Sequence, residues 1–82
     1  MHLAEHLRRL RASRGMSLRQ LARASRVNAS TLSRWESGTT TPRVYELEAV
    51  LNALQAEAHE RLQAWQLLRA PRAAPLAAGA EK

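Results

Sequence analysis

Residues 17–38 of the chain, SLRQLARASRVNASTLSRWESG, decide the fold. Ser17 followed three residues later by Gln20 is a capping-box pattern, in which each side chain accepts a hydrogen bond from the other residue's backbone N–H. We therefore predict that a helix begins at Leu18 and buries Leu21 and Ala22 against a core.

A second short helix follows within the same stretch. Asn28 is a good N-cap, and Leu32 and Trp35 lie on one face of the helix that it starts. Residues 25–27 separate the two helices, and Ala22 on the first helix is small enough for a close approach of the second. This spacing is typical of a helix-turn-helix, although small helical bundles of other kinds also contain short helix pairs.

The segment before this pair is predicted to form another helix. In residues 1–10, MHLAEHLRRL, Leu3, Leu7 and Leu10 recur at helical spacing and form one apolar stripe. Gly15 is predicted to end the helix as a left-handed cap. Because the segment has no continuous apolar core, we expect no secretory signal in it.

Residues 38–43, GTTTPR, consist of turn formers and β-branched polar residues. Gly38 is predicted to end the second short helix. Thr41 and Pro42 have the pattern of the N-cap and first residue of a fourth helix. The predicted buried face of that helix consists of Val44, Leu47, Val50, Leu51 and Leu54.

A fifth helix is predicted over about residues 56–69. Its apolar positions, at spacings of four, three and three, are Ala58, Leu62, Trp65 and Leu68. Pro71 stops the helix, and the proline- and alanine-rich residues 70–82 are expected to form a flexible tail or an interdomain linker.

The composition fits one small all-α domain. The 82 residues leave room for a single core, and no alternating run of β-branched or aromatic residues predicts a strand. We expect a compact five-helix domain over residues 1–69, with its helix-turn-helix at about 18–37.

Cysteine is absent, which excludes disulfides and fits a reducing cytoplasm. No apolar run approaches the ~18 residues of a membrane span.

Positive charge is concentrated in the amino-terminal half. Residues 1–43 hold nine Arg and two Glu, a net charge of +7, whereas residues 44–82 hold four basic and five acidic residues, a net charge of −1. Such segregation attracts a polyanion, with nucleic acid the commonest partner and an acidic membrane surface the next. In many small domains a basic surface serves solubility alone. We expect nucleic acid and no membrane.

The motifs L-R-x-L-R, G-x-S, L-A, V-x-x-S-T-L-S-R-W-E-x-G and P follow one another between about Leu7 and Leu54. On these motifs, over about 48 of the 82 residues, the chain resembles the lambda repressor/Cro (Xre-type) family of DNA-binding domains. The resemblance implies a lambda-repressor-like fold and a sequence-specific regulator of transcription. We expect a repressor that binds a two-fold site on double-stranded DNA as a dimer.

The resemblance implies that the third helix enters the major groove with its amino-terminal end first. The positions that match the family's base-contacting residues are Ala29, Ser30, Thr31 and Arg34. Arg34 suits a bidentate contact to guanine, with a phosphate contact as the alternative. Ser30 and Thr31 can donate or accept hydrogen bonds, and Ala29 or the Thr31 methyl group can contact a thymine methyl group. The alternative is that these short side chains simply allow the helix to approach closely.

Phosphate contacts are implied at the start of the second helix and in the loop after the third. The matching residues are Ser17, Leu18, Arg19, Thr39, Thr40, Thr41 and Arg43, to which we add Asn28 and Ser33. The family often has Gln where this chain has Leu18, so one polar contact is missing. We expect Arg19 or Arg23 to take its place.

Arg26 is a second departure from the family pattern. The family prefers Gly at this turn position because the backbone takes a positive φ. An Arg that keeps this conformation destabilises the fold by roughly 1 kcal/mol, but it also adds a cation beside the DNA. From the sequence, both effects stay open.

Two further positions have structural roles by resemblance. Arg11 and Glu36 match a partly buried ion pair between the first helix and the end of the recognition helix. Trp35 matches a core position, so we predict packing rather than base stacking.

The fifth helix lies beyond the matched segment. Leu62, Trp65 and Leu68 cover the monomer core or form a two-fold dimer contact, and we favour the dimer.

Two other functions of the chain remain open. In the first, the chain is an antitoxin that represses its own promoter, and residues 70–82 wrap a protein toxin. In the second, the chain is a protein-interaction module of a larger protein.

Catalysis and metal binding have little support in the sequence. His2 and His6 have the spacing that lets two imidazoles share a metal ion, but no third ligand lies nearby. The chain has no Asp, no Cys and no glycine-rich phosphate loop. We expect no metal, no other cofactor and no enzymatic activity.

Overall fold

The computed structural model describes residues 1–70. Within that range the chain forms five α-helices and no strand, which confirms the predicted all-α, five-helix fold. The helices are α1 (Leu3–Ser13), α2 (Leu18–Ser25), α3 (Ala29–Glu36), α4 (Val44–Ala53) and α5 (Ala58–Arg69). The tail or linker predicted at 70–82 lies, apart from Ala70, outside the described residues.

Both helices of the predicted pair begin at their predicted caps. Ser17 Oγ accepts the backbone N–H of Gln20 at 3.0 Å, and Gln20 Oε1 accepts the backbone N–H of Ser17 at 2.8 Å. Asn28 Oδ1 accepts the backbone N–H of Ser30 at 2.9 Å. These bonds satisfy N–H groups that have no partner inside the helix, so the sequence prediction of the two helix starts is confirmed.

A single apolar core lies between the helices. α2 packs against α3 and α4, and α1 packs against α3 and α5. Trp35 is only 3% exposed, which confirms its predicted place in the core. The largest fully buried side chains are Leu21, Leu32, Leu47, Val50, Leu51 and Leu54. Because burial of each such side chain contributes ~1.5–3 kcal/mol, these contacts hold the short helices in place.

Two glycines allow the chain to leave α1 and α3. Gly15 has φ +67° and Gly38 has φ +81°, a region that side chains with a Cβ rarely adopt. Both predicted helix ends are therefore confirmed.

α4 begins later than the sequence predicts. Its N-cap is Arg43 rather than Thr41, because the Glu46 carboxylate accepts the backbone N–H of Arg43 at 2.8 Å and caps the helix there. Val44, predicted to be buried, is 60% exposed as the first residue of the helix. The rest of the predicted face is buried, namely Leu47, Val50, Leu51 and Leu54.

α5 also begins later, at Ala58 rather than residue 56. Glu60 Oε1 accepts the backbone N–H of Glu57 at 2.8 Å, which caps the helix at Glu57. Ala56 is buried in the loop before the helix. The predicted helix start at residue 56 is therefore wrong, because a buried apolar residue of the loop continues the apolar pattern of the helix.

The core-facing side of α5 differs from the predicted stripe. Ala64, which was not in the stripe, is fully buried, whereas Leu62 is 59% exposed. Trp65, Leu67 and Leu68 are half-buried and pack against the core. The stripe therefore covers the core at its carboxyl end and leaves Ala58 and Leu62 in solvent.

An ion pair connects α1 to the carboxyl end of α3. Arg11 Nε donates to Glu36 Oε2 at 2.7 Å, and Arg11 Nη2 donates to Glu36 Oε1 at 2.9 Å. Arg11 Nη1 also donates to the carbonyl oxygen of Met16 at 2.8 Å. The hydrogen bonds to Glu36 raise the pKa of Arg11 above its ordinary value. The two side chains are only 18% and 9% exposed, so one guanidinium joins α1, the turn before α2 and α3 in a mostly buried site.

A second arginine connects α1 to α5. Arg14 Nη2 and Nη1 donate to the two carboxylate oxygens of Glu60 at 2.6 and 3.1 Å, and Arg14 Nε donates to the carbonyl oxygen of Leu54 at 3.0 Å. The hydrogen bonds from Arg14, and next the one from the backbone of Glu57, lower the pKa of Glu60 from 4.5 to about 2.

Loss of the Glu36 charge is expected to destabilise the fold. Glu36→Gln leaves the guanidinium of Arg11 without its counter-ion in a site that water reaches poorly, so the free energy of unfolding falls by about 2–3 kcal/mol. Urea unfolding followed by circular dichroism measures the change. The control is Glu5→Gln, since the pair of Glu5 with Arg9 is exposed and contributes under ~1 kcal/mol. Equal losses in both variants would contradict the prediction.

Stability is expected to fall in acid because of Glu60. The pKa of Glu60 in the fold, about 2, lies below the ordinary value of 4.5. The contribution of the Glu60 carboxylate to the free energy of unfolding is therefore present above pH 4.5 and is lost as the pH falls from there towards 2. Urea midpoints measured across this window should decline less steeply for Glu60→Gln than for the unmodified chain. Parallel pH profiles for the two proteins would show that Glu60 makes no such contribution.

Candidate nucleic-acid interface

α3 presents a polar face to solvent. Ser30, Ser33 and Arg34 are exposed, and Ala29 and Thr31 are half-buried at its two edges. Arg34 Nη2 lies 3.5 Å from Thr31 Oγ1, so the Arg34 side chain extends towards the amino-terminal turn of the helix. The four residues assigned to base contacts therefore lie on or beside one exposed surface.

The opposite face of α3 fixes the helix in the fold. Leu32 and Trp35 are 2% and 3% exposed and belong to the core. Glu36 is held by Arg11, and its carbonyl oxygen accepts a hydrogen bond from Arg8 Nη1 at 3.3 Å. The carboxyl end of α3 is therefore the anchored end, and the amino-terminal end carries the exposed polar residues.

The start of α2 also presents polar residues to solvent. Ser17, Arg19 and Arg23 are exposed. The Leu18 side chain is half-buried and packs against the core, so Leu18 offers the surface only its backbone N–H. Arginine side chains and backbone N–H groups at a helix start are the donors that suit phosphate oxygens.

The loop after α3 forms one edge of the α3 surface. Its predicted phosphate-contacting residues are all exposed, namely Thr39, Thr40, Thr41 and Arg43. The backbone N–H of Thr39 donates to the carbonyl oxygen of Arg34 at 2.9 Å, and Thr39 Oγ1 lies 2.8 Å from Ser37 Oγ. The loop is therefore joined to the end of α3. Asn28 and Ser33, assigned to phosphate as well, are also exposed.

The arginines on this side of the molecule have no acidic partners. In residues 1–70, acidic side chains pair with Arg9, Arg11, Arg14 and Arg61. The five exposed arginines of α2, the turn, α3 and the next loop form no ion pair there. These helix-turn-helix arginines are Arg19, Arg23, Arg26, Arg34 and Arg43. Their positive charge is uncompensated and available to a polyanion.

The turn between α2 and α3 keeps the left-handed conformation that the sequence left open. Arg26 has φ 62° and ψ 26°, a conformation that side chains disfavour by roughly 1–2 kcal/mol. Its backbone N–H donates to the carbonyl oxygen of Ala22 at 2.8 Å. Ser25 Oγ donates to the carbonyl oxygen of Leu21 and accepts the backbone N–H of Val27. These bonds hold the turn while the Arg26 side chain stays exposed.

Sequence reasoning missed a cleft beside this turn. The cleft, of about 320 Å³, lies between the turn and the start of α4, and Arg26, Asn28 and Thr31 line it together with Tyr45. Tyr45 is 69% exposed. The sequence shows only an apolar residue near the start of a helix, and its exposure follows from the position at which α4 begins.

The surface assigned to dimerisation combines exposed and half-buried residues. Leu62 is 59% exposed, and Trp65 and Leu68 pack against the core while keeping part of their surfaces accessible. Covering the core and contacting a second chain are compatible for the last two residues. The dimer contact remains a prediction.

His2, the N-cap of α1, and His6, within α1, lie in different environments. His6 is buried, and its Nε2 donates to the carbonyl oxygen of Glu60 at 3.1 Å, whereas His2 is exposed. Within residues 1–70 no three potential ligands cluster so as to hold a metal ion. In the same range, every helix is too short or too polar to cross a membrane.

Comparisons with known proteins agree with this geometry. The family described as "Helix-turn-helix domain" matches residues 2–64. The HTH-type transcriptional regulator DdrOP3 of Deinococcus deserti is 33% identical over 63 residues, which are 77% of this chain and 49% of that protein. The chain thus spans about half the length of this relative. No solved structure matches the chain significantly. The family match covers most of the chain and includes α1 to α4 with their core and exposed α3 face, so the chain belongs to the helix-turn-helix domain family.

Proposed function

We propose that the chain is a transcriptional regulator that recognises a double-stranded DNA sequence through the major groove with α3. The observation that carries this proposal is the set of helix-turn-helix arginines, which are exposed on α2, the turn, α3 and the next loop without acidic partners in residues 1–70. Membership in the family supports it. The relative that carries the name of a transcriptional regulator supports it as well.

The contacts divide into base contacts and phosphate contacts. Arg34 is the one long side chain on the exposed face of α3, and its forked donors match the two acceptors of guanine in the major groove. The short side chains of Ser30 and Thr31 allow the helix to come close to the bases. The start of α2 and the loop after α3 bind backbone phosphates on either side and set the register of α3.

We propose further that the chain binds a two-fold site as a dimer through apolar residues of α5. The proposed contact consists of Leu62, Trp65 and Leu68, and a two-fold site on DNA requires the two α3 helices to lie about one turn of DNA, ~34 Å, apart. A dimer bound in this way excludes other proteins from the same base pairs. We therefore propose repression, which needs no further surface on the domain.

Selection of bound sites from random duplex DNA tests the proposal. At ~150 mM salt we expect an enriched inverted repeat, and sedimentation of the protein with its best site should show two chains per duplex. Weak binding without any enriched sequence, which disappears as the salt concentration rises, would mean that the cationic side is only a general electrostatic surface.

Replacement of Arg34 and replacement of Arg43 are expected to weaken DNA binding in different ways. Arg34→Ala should reduce discrimination at one base pair by ~1–3 kcal/mol, because a bidentate base contact is lost. Arg43→Ala should weaken binding to all sequences alike, because phosphates carry no sequence information. Titrations of both variants with the selected site and with random duplex DNA measure this. Equal losses on both DNAs for Arg34→Ala would contradict the base contact.

Leu62→Glu is expected to separate the dimer without unfolding the chain. The side chain is already exposed, so the charge leaves the core unchanged but repels its copy across a two-fold contact. Sedimentation should give monomers, and binding to the inverted repeat should weaken. Gln63→Glu, at another exposed position of α5 that lies about 100° around the helix from Leu62, is the control for added charge. If Leu62→Glu stays dimeric, the dimer contact lies elsewhere.

A further inference from the structure

We propose that the cleft between the helix-turn-helix turn and the start of α4 binds a phosphate of the DNA backbone, with Arg26 and Tyr45 as the donors. The inference rests on the proposed function and adds to it a backbone-binding subsite. The evidence consists of the conformation of Arg26, the position of Tyr45 and the continuity of the cleft with α3.

Arg26 occupies a position where a smaller residue would be more stable. Its φ of 62° lies in the left-handed region, which Gly adopts without strain and which Asn tolerates. The backbone hydrogen bond from Arg26 to Ala22 would be the same with Gly. Within residues 1–70 the guanidinium makes no hydrogen bond or ion pair, so nothing in the described fold offsets the strain. Strain of this kind is typical of functional positions.

Tyr45 supplies a second donor on the other wall of the cleft. It lies in the first turn of α4, is 69% exposed and lines the cleft together with Arg26. Its hydroxyl group has no hydrogen-bond partner in the described part of the chain. A guanidinium fork and a phenol O–H facing one space suit the oxygens of a phosphate, which accept several hydrogen bonds.

The cleft is continuous with the surface of α3. Asn28 and Thr31, which belong to the proposed DNA-contacting set, also line it, so a duplex lying against α3 brings its backbone to the opening of the cleft. Glu46 lines the cleft as well, but its Oε1 is engaged by the backbone N–H of Arg43. Continuity with α3 favours a DNA phosphate over a free anion.

Replacement of Arg26 by Gly tests the proposal through two effects of opposite sign. Arg26→Gly relieves the strained conformation, so the melting temperature should rise by a few degrees. The same change removes a phosphate contact, so affinity for the selected duplex should fall about 3- to 10-fold, and the slope of log K against log salt should shrink by about 1. A purely structural or solubilising Arg would not produce this combination.

Matched variants separate the contact from other causes. Arg26→Asn also removes the charge but keeps a residue that tolerates the left-handed conformation, so it should lose affinity like Arg26→Gly. Arg26→Lys should keep the salt slope. Arg9→Gln removes one exposed positive charge on α1, outside the proposed interface, and should leave both affinity and slope unchanged. Tyr45→Phe should weaken binding, and its effect should shrink when Arg26 is already Gly.

Each outcome decides a definite question. If Arg26→Gly binds the selected duplex as tightly and with the same salt slope as the unmodified chain, the phosphate subsite is overturned and the proposed function stands. If Arg9→Gln lowers the slope as much as Arg26→Gly does, the effect is general charge and the subsite is again overturned. If the unmodified chain binds no duplex at any salt concentration, the proposed function fails, and the subsite with it.

Discussion

The hydrogen bonds from Arg11 to Glu36 position the surface on which the proposed function depends. α3 has only eight residues, and a helix of about two turns is unstable by itself in water. It is held by burial of Leu32 and Trp35 and by the capture of Glu36 at its carboxyl end. Because the same guanidinium binds the carbonyl oxygen just before α2, the two helices of the motif share one anchor on α1.

The ion pairs divide the arginines into two groups with different roles. Arg14 and Arg61, like Arg11, face acidic side chains and connect helices or neighbouring turns. The helix-turn-helix arginines lie in exposed positions without such partners. A polyanion near this side meets charge that no carboxylate has neutralised, and bound phosphates release their counterions, which makes association favourable and dependent on salt.

Arg26 shows how stability and binding compete at one residue. The turn between α2 and α3 needs a positive φ, which glycine supplies without strain, and the chain has arginine there. Gln55 has a similar φ of 53°, so the strain at Arg26 argues for a function only together with its exposed guanidinium, unpaired within residues 1–70, and its place in the wall of the cleft. In the proposed arrangement, the strain is offset only when DNA is bound.

The sequence by itself determined the helices that have caps and glycine ends, because capping and left-handed turns are local chemistry between neighbours in the chain. It also indicated the Arg11 and Glu36 pair, through the resemblance. Only the tertiary structure decided where α4 and α5 begin and which side of α5 is buried, since Glu46 and Glu60 cap helix starts that periodicity does not mark. The cleft beside Arg26 depends on how α4 packs against the turn. Surfaces formed by residues distant in the chain arise from packing, and no local pattern encodes them.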